Sequence, residues 1–104
     1  MTHGTCKGEF SLEGKTVIVS GGYGLIGQEV CDAFASYGAD LVIADIQDEV
    51  TLKDFADELG SNYKVKILPV NMDISDPTSV ERGIQTIKHN GLGFDVYVHL
   101  AAID

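Results

Sequence analysis

The chain has 104 residues, 44% of them apolar and 22% charged, which suits one globular domain with a modest core. Sixteen acids against seven bases give a net charge of −9, and Arg82 is the only arginine. No basic stripe is present to meet a nucleic-acid backbone or an anionic membrane surface, and no apolar run reaches the roughly 18 residues that a membrane span needs.

Residues 1–11 are small, polar and non-periodic, and read as an N-terminal arm; residues 12–104 read as one domain. His3 and Cys6 lack a third ligand nearby, so no metal site is expected. Cys6 and Cys31 match no redox spacing and read as free thiols. With no signal-like apolar segment, a soluble cytoplasmic protein is the expectation.

The first strand is expected over about Lys15–Ser20. A glycine-rich turn follows, Ser20-Gly21-Gly22-Tyr23-Gly24-Leu25-Ile26-Gly27. A helix is expected over about Gly24–Tyr37, with Leu25, Ile26, Val30, Ala33 and Phe34 as its apolar pattern and Gly38 as its stop. The glycines have distinct jobs in such a turn. Gly21 turns the chain off the strand, Gly24 lets the backbone approach a pyrophosphate, and Gly27 lets the helix pack closely. The helix N-terminus then favours phosphate charge.

A second buried strand is expected over about Asp40–Ala44, with Asp45 at its end, 18 residues beyond Gly27. That is close to the roughly 20-residue spacing of a ribose-binding acid. Its carboxylate would accept the ribose hydroxyls and repel a 2′-phosphate. No Lys or Arg follows within the next seven residues, so NAD is favoured over NADP.

A second helix is expected over about Asp48–Leu59, with Leu52, Phe55, Ala56 and Leu59 on one face and Gly60 ending it. A third strand is expected over about Lys64–Val70, near a sheet edge. Asp76-Pro77 starts a third helix that runs to about His89, with Val80, Ile84 and Ile87 as its stripe. The fourth strand is Asp95–Leu100. Four strands alternating with three helices predict an α/β fold, a Rossmann-type parallel sheet of order 3-2-1-4. The carboxyl ends of its strands bring Ser20–Gly24, Asp45, Asp73 and Leu100–Ala102 to one crevice.

These segments resemble the N-terminal part of the short-chain dehydrogenase/reductase family. Leu12-Glu13-Gly14-Lys15 is similar to that family's opening, and the Ser20–Gly27 turn to its T-G-rich turn. Asn71-Met72-Asp73-Ile74-Ser75-Asp76 resembles its D-[VI]-[ST]-D segment, and Phe94-Asp95-Val96 its entry to strand four. The resemblance implies that the Asp73 side chain meets the adenine amino group, supported by the Ile74 backbone. Leu25 stands where many members have glycine, and His99-Leu100-Ala101-Ala102 where they have N-N-A-G. Both departures look more like the extended branch of sugar-nucleotide epimerases and dehydratases, whereas the spacing from Asp73 to strand four does not; the branch stays open. His99 reads as a packing residue near the cofactor.

The resulting cofactor-binding candidates are Gly21, Tyr23, Gly24, Leu25, Ile26, Gly27, Asp45, Ile46, Asp73, Ile74, Leu100, Ala101 and Ala102. The family's reaction uses a Tyr-x-x-x-Lys pair. Here Tyr23, Tyr37, Tyr63 and Tyr97 are followed four positions on by Gly27, Leu41, Ile67 and Ala101, so no catalytic residue is assigned. The expectation is the NAD-binding part of a longer oxidoreductase, whose small-molecule substrate is set elsewhere. The alternatives are an epimerase or dehydratase fragment, a non-catalytic dinucleotide-binding module, or an α/β domain with an empty turn. The unpaired edge of strand four predicts self-association.

Overall fold

The computed structural model describes residues 11–93 and 95–100. Residues 1–10, Phe94 and residues 101–104, Ala101 and Ala102 among them, lie outside that set, and with them nearly all of the expected arm. Seven elements alternate: β1 (Thr16–Ser20), α1 (Leu25–Ser36), β2 (Asp40–Asp45), α2 (Glu49–Tyr63), β3 (Ile67–Asn71), α3 (Pro77–His89) and β4 (Val96–His99). The four strands form one parallel sheet in the order β3-β2-β1-β4, as the alternation predicts.

β1 is buried along its whole length, and β2 is buried from Leu41 to Ala44. Such continuous apolar runs are what a parallel strand covered on both faces requires. Alternate residues feed two cores. Val17, Val19, Leu41 and Ile43 pack with Cys31 and Ala35 of α1 and Leu52 and Leu59 of α2. Ile18, Val42, Ala44 and Val70 pack with Met72, Leu92 and Ile87 of α3.

α1 buries Gly27, Cys31, Ala35 and Ser36, a face rotated from the expected one. Leu25 and Ile26 are 85% and 69% exposed. They occupy the first turn of the helix, beside the glycine turn rather than over the sheet.

α2 runs through Gly60 instead of ending there. Its end is Lys64, in the left-handed region at φ 59°. Gly60 instead serves packing, since a Cβ there would sit 3.2 Å from the Val65 carbonyl oxygen. β3 therefore begins only at Ile67, and Lys64 belongs to the helix cap rather than to the strand. β3 forms the outer edge and carries Pro69, which lacks an amide to donate.

Candidate functional site

The carboxyl ends of β1, β2 and β4 and the segment after β3 surround a cleft of about 250 Å³. Its lining includes Gly21, Asp45, Ile46, Asp73, Ile74 and Leu100, six of the expected residues. Ser20, Ala44, Met72 and His99 complete it. Tyr23, Gly24, Leu25, Ile26 and Gly27 form the turn and helix start beside it rather than its wall.

Gly21 has φ 79°, a left-handed conformation that disfavours other residues, and a Cβ there would collide with the Leu100 carbonyl oxygen. Its N–H donates to the Ala44 carbonyl at 2.7 Å, and the Leu100 N–H donates to the Ser20 carbonyl at 2.9 Å. The turn is thus pinned between β2 and β4. Gly27 is needed because a Cβ would stand 2.8 Å from the Gly22 carbonyl carbon. The close packing is therefore helix against turn, not helix against sheet. Gly22 was not assigned a role from sequence, yet it is buried, and a Cβ there would meet Ile43 Cγ2 at 2.8 Å. The adjacent pair Gly21-Gly22 directly after a strand was the available signal.

Gly24 is different. A Cβ there would meet only the Gly21 carbonyl oxygen, at an ordinary 3.5 Å. No protein atom requires glycine at this position. Gly24 is also the N-cap of α1, with no side-chain cap and no acid in the first turn. The other helices are capped: Asp48 accepts from the Thr51 N–H, and Asp76 from the Thr78 N–H. α1 alone of the three keeps its N-terminus clear of a side-chain cap.

Asp45 ends β2 with its carboxylate accepting from the Tyr23 N–H at 3.0 Å and the Gln47 N–H at 3.2 Å. The Tyr23 ring turns away and meets Phe55 edge-on at 5.7 Å. Ile46, just past Asp45, is 71% exposed. Asp73 accepts from both the backbone N–H and the hydroxyl of Ser75, at 2.9 and 2.7 Å. Those bonds hold its pKa below the usual 3.8. Both fall on Oδ1.

His99 is more than a packing residue. Its Nδ1 lies 2.7 Å from the Ser20 hydroxyl, and its ring borders both the cleft and an apolar groove of about 580 Å³ between α3 and β4. No local pattern announces a bond between residues 79 positions apart. No group of three or more His, Cys, Asp or Glu side chains among the described residues could hold a metal ion. No helix among them is long and apolar enough to cross a membrane.

Residues 15–104 match the family model for short chain dehydrogenase. The chain belongs to the short-chain dehydrogenase family. Among short-chain dehydrogenases, it is 33% identical over 93 residues to the short chain dehydrogenase/reductase dpmpG of Macrophomina phaseolina, covering 89% of this chain and 53% of that one. It is 28% identical to an NADP-dependent 3-hydroxy acid dehydrogenase of Schizosaccharomyces pombe, covering 88% and 36%. The L-sorbose reductase of Gluconobacter frateurii, solved with NADPH and L-sorbose, superposes with a TM-score of 0.83 at 26% identity, covering 89% and 35%. The chain thus spans about half the length of the first relative and about a third of the other two.

Proposed function

We propose that this chain is the dinucleotide-binding part of an oxidoreductase that moves a hydride between nicotinamide and a hydroxyl or carbonyl carbon. The observation that carries this reading is the convergence at one cleft. The start of the glycine turn and two carboxyl groups line it from segments far apart in sequence, and an uncapped helix N-terminus stands beside it. Gly24 supports it further, because no protein atom fills the space a Cβ would take there and the bare backbone leaves room for a pyrophosphate to approach. The pyrophosphate would lie over Gly21–Gly24 and the first turn of α1, beside Leu25 and Ile26. The adenosine would lie among Asp45, Ile46, Asp73 and Ile74, with Leu100 closing the β4 side. The bound cofactor would supply the hydride chemistry; these residues would bind and orient it.

NAD is the favoured cofactor. The Asp45 carboxylate would repel a 2′-phosphate. The first basic residue beyond it, Lys53, is paired with Asp57 at 2.9 Å. Two of the relatives use NADP or NADPH, so a direct competition decides the point. Fluorescence titration with NADH and NADPH should give tighter binding for NADH. Tighter NADPH binding would refute this assignment of Asp45.

The named relatives are dehydrogenases and reductases, which favours this activity over the epimerase or dehydratase alternative. With no Tyr-x-x-x-Lys in its 104 residues, the chain alone should bind without turnover. We further infer self-association through β4. β3 at the opposite edge is blunted by Pro69, whereas β4 offers Val96-Tyr97-Val98-His99 with no such device. A cytoplasmic location is consistent with Cys31 being a buried free thiol.

A further inference from the structure

We propose that Asn71 is a positioning residue for cofactor selection: its side-chain amide orients the Ile46–Gln47 peptide, and that peptide holds the Asp45 carboxylate in the pose that accepts an adenosine ribose and turns away a 2′-phosphate. This rests on the dinucleotide reading of the cleft and names a group outside the cleft on which Asp45 depends.

The strand register brings the parts together. Asn71 ends β3 opposite Asp45 at the end of β2. The Asn71 amide nitrogen donates to the Ile46 carbonyl at 3.3 Å and to the Gln47 carbonyl at 2.6 Å. Both partners are carbonyl oxygens, which only accept, so the NH2 end of the amide must face them. A trans peptide points its C=O and its N–H in opposite directions. With the Ile46 carbonyl held by Asn71, the N–H of the same peptide unit, that of Gln47, is turned the other way. It meets Asp45 Oδ1 at 3.2 Å. The Tyr23 N–H holds Asp45 Oδ2 at 3.0 Å. Each carboxylate oxygen thus has one fixed donor and a lone pair left for a ligand.

Positioning, not contact, is the role the site allows. Asp45 and Ile46 line the cleft, whereas Asn71 borders the neighbouring groove between α2 and α3. Beyond Gln47, Asp48 accepts from the Thr51 N–H and hydroxyl, so the turn is tied at its far end too. Between those ties, Asn71 orients the peptide. Its chemistry also fits NAD. A lysine or arginine at this position could hold the same carbonyls, but would bring positive charge to the turn and favour a 2′-phosphate. The asparagine amide donates without charge.

The test compares AMP with adenosine 2′,5′-bisphosphate, which differ by the 2′-phosphate alone, on the 104-residue chain, together with hydrogen exchange at the Gln47 amide. The native chain should favour AMP and protect the Gln47 N–H. Asn71→Leu is neutral, close in size and lacks both donors. It should speed Gln47 exchange roughly threefold or more and cut the AMP preference roughly three- to tenfold, the worth of one hydrogen bond. Asn71→Ala, too small to crowd the exposed edge, should do the same. In an Asp45→Ala background, Asn71→Leu should change the preference no further, because the group it acts through is gone. An unprotected Gln47 N–H in the native chain, or variants with the native preference, would overturn the clamp while the dinucleotide reading stands. So would an equal loss of preference with Asp45 already removed. A native preference for the bisphosphate would refute the selection role together with the assignment of Asp45. Binding of neither nucleotide would refute the dinucleotide reading itself.

Discussion

The backbone N–H of Tyr23 donates to the Asp45 carboxylate at 3.0 Å, joining the glycine turn to the end of β2. One side chain thereby fixes the turn and faces the cleft. Asp45→Ala should lower NADH affinity about tenfold, because both the ribose acceptor and the turn's anchor are lost. NADPH binding should fall less, since the repelling charge goes with it. Parallel titrations of the two cofactors against wild type and variant measure the ratio.

Gly24 and Gly27 should separate function from stability. A Cβ at Gly27 meets the Gly22 backbone at 2.8 and 2.9 Å, and backbone cannot swing aside as a side chain can. Gly27→Ala should cost about 2–4 kcal/mol in urea unfolding. Gly24→Ala meets no such contact and should leave stability within about 0.5 kcal/mol, while weakening NADH binding about tenfold or more.

Cys31 should report the integrity of the core. Burial pushes its thiol up from 9.0 to about 12, so in the folded chain it stays protonated and slow toward thiol reagents. The unfolded thiol loses its proton first as pH rises. The stabilisation is therefore full below pH 9 and is lost as pH climbs from 9 towards 12. With Cys6 replaced by serine, thiol labelling in a urea series should track global unfolding, and Cys31→Ala should flatten the alkaline limb of the stability profile.

The open edge of β4 should make the 104-residue chain self-associate. Light scattering on a concentration series should show a monomer passing to a dimer or larger species. Val96 is 39% exposed, and Val96→Lys should shift the transition to higher concentration by placing charge on the edge. A monomer of unchanged mass throughout the series would contradict this.

β1 and β2 were legible because each is a short, continuous apolar run, and the starts of α2 and α3 because Asp48 and Asp76 are side-chain caps. The parallel pairing of the strands followed from alternation, and their order from the doubly wound fold that the glycine turn points to. The α1 face was misplaced because Leu25 and Ile26 count as apolar in any periodic pattern, yet they lie outside the packed surface. Gly60 was mistaken for a stop because a glycine required by a close approach looks the same in sequence as one required by a left-handed cap. Here Lys64 took the cap. At the candidate site, Gly21 and Asp45 stood out by spacing and Asp73 by its resemblance to a family segment, and the three line one cleft. The bond between Ser20 and His99 was not legible, because it joins neighbouring strands across most of the chain.

The most direct measurement is an amide NMR titration of the 104-residue chain with NAD to millimolar concentration. The cleft account predicts saturable shifts concentrated at Gly21, Gly24, Leu25, Asp45 and Asp73, with the α2–β3 side unmoved. Shifts scattered over the surface without saturation, or none at all, would contradict it.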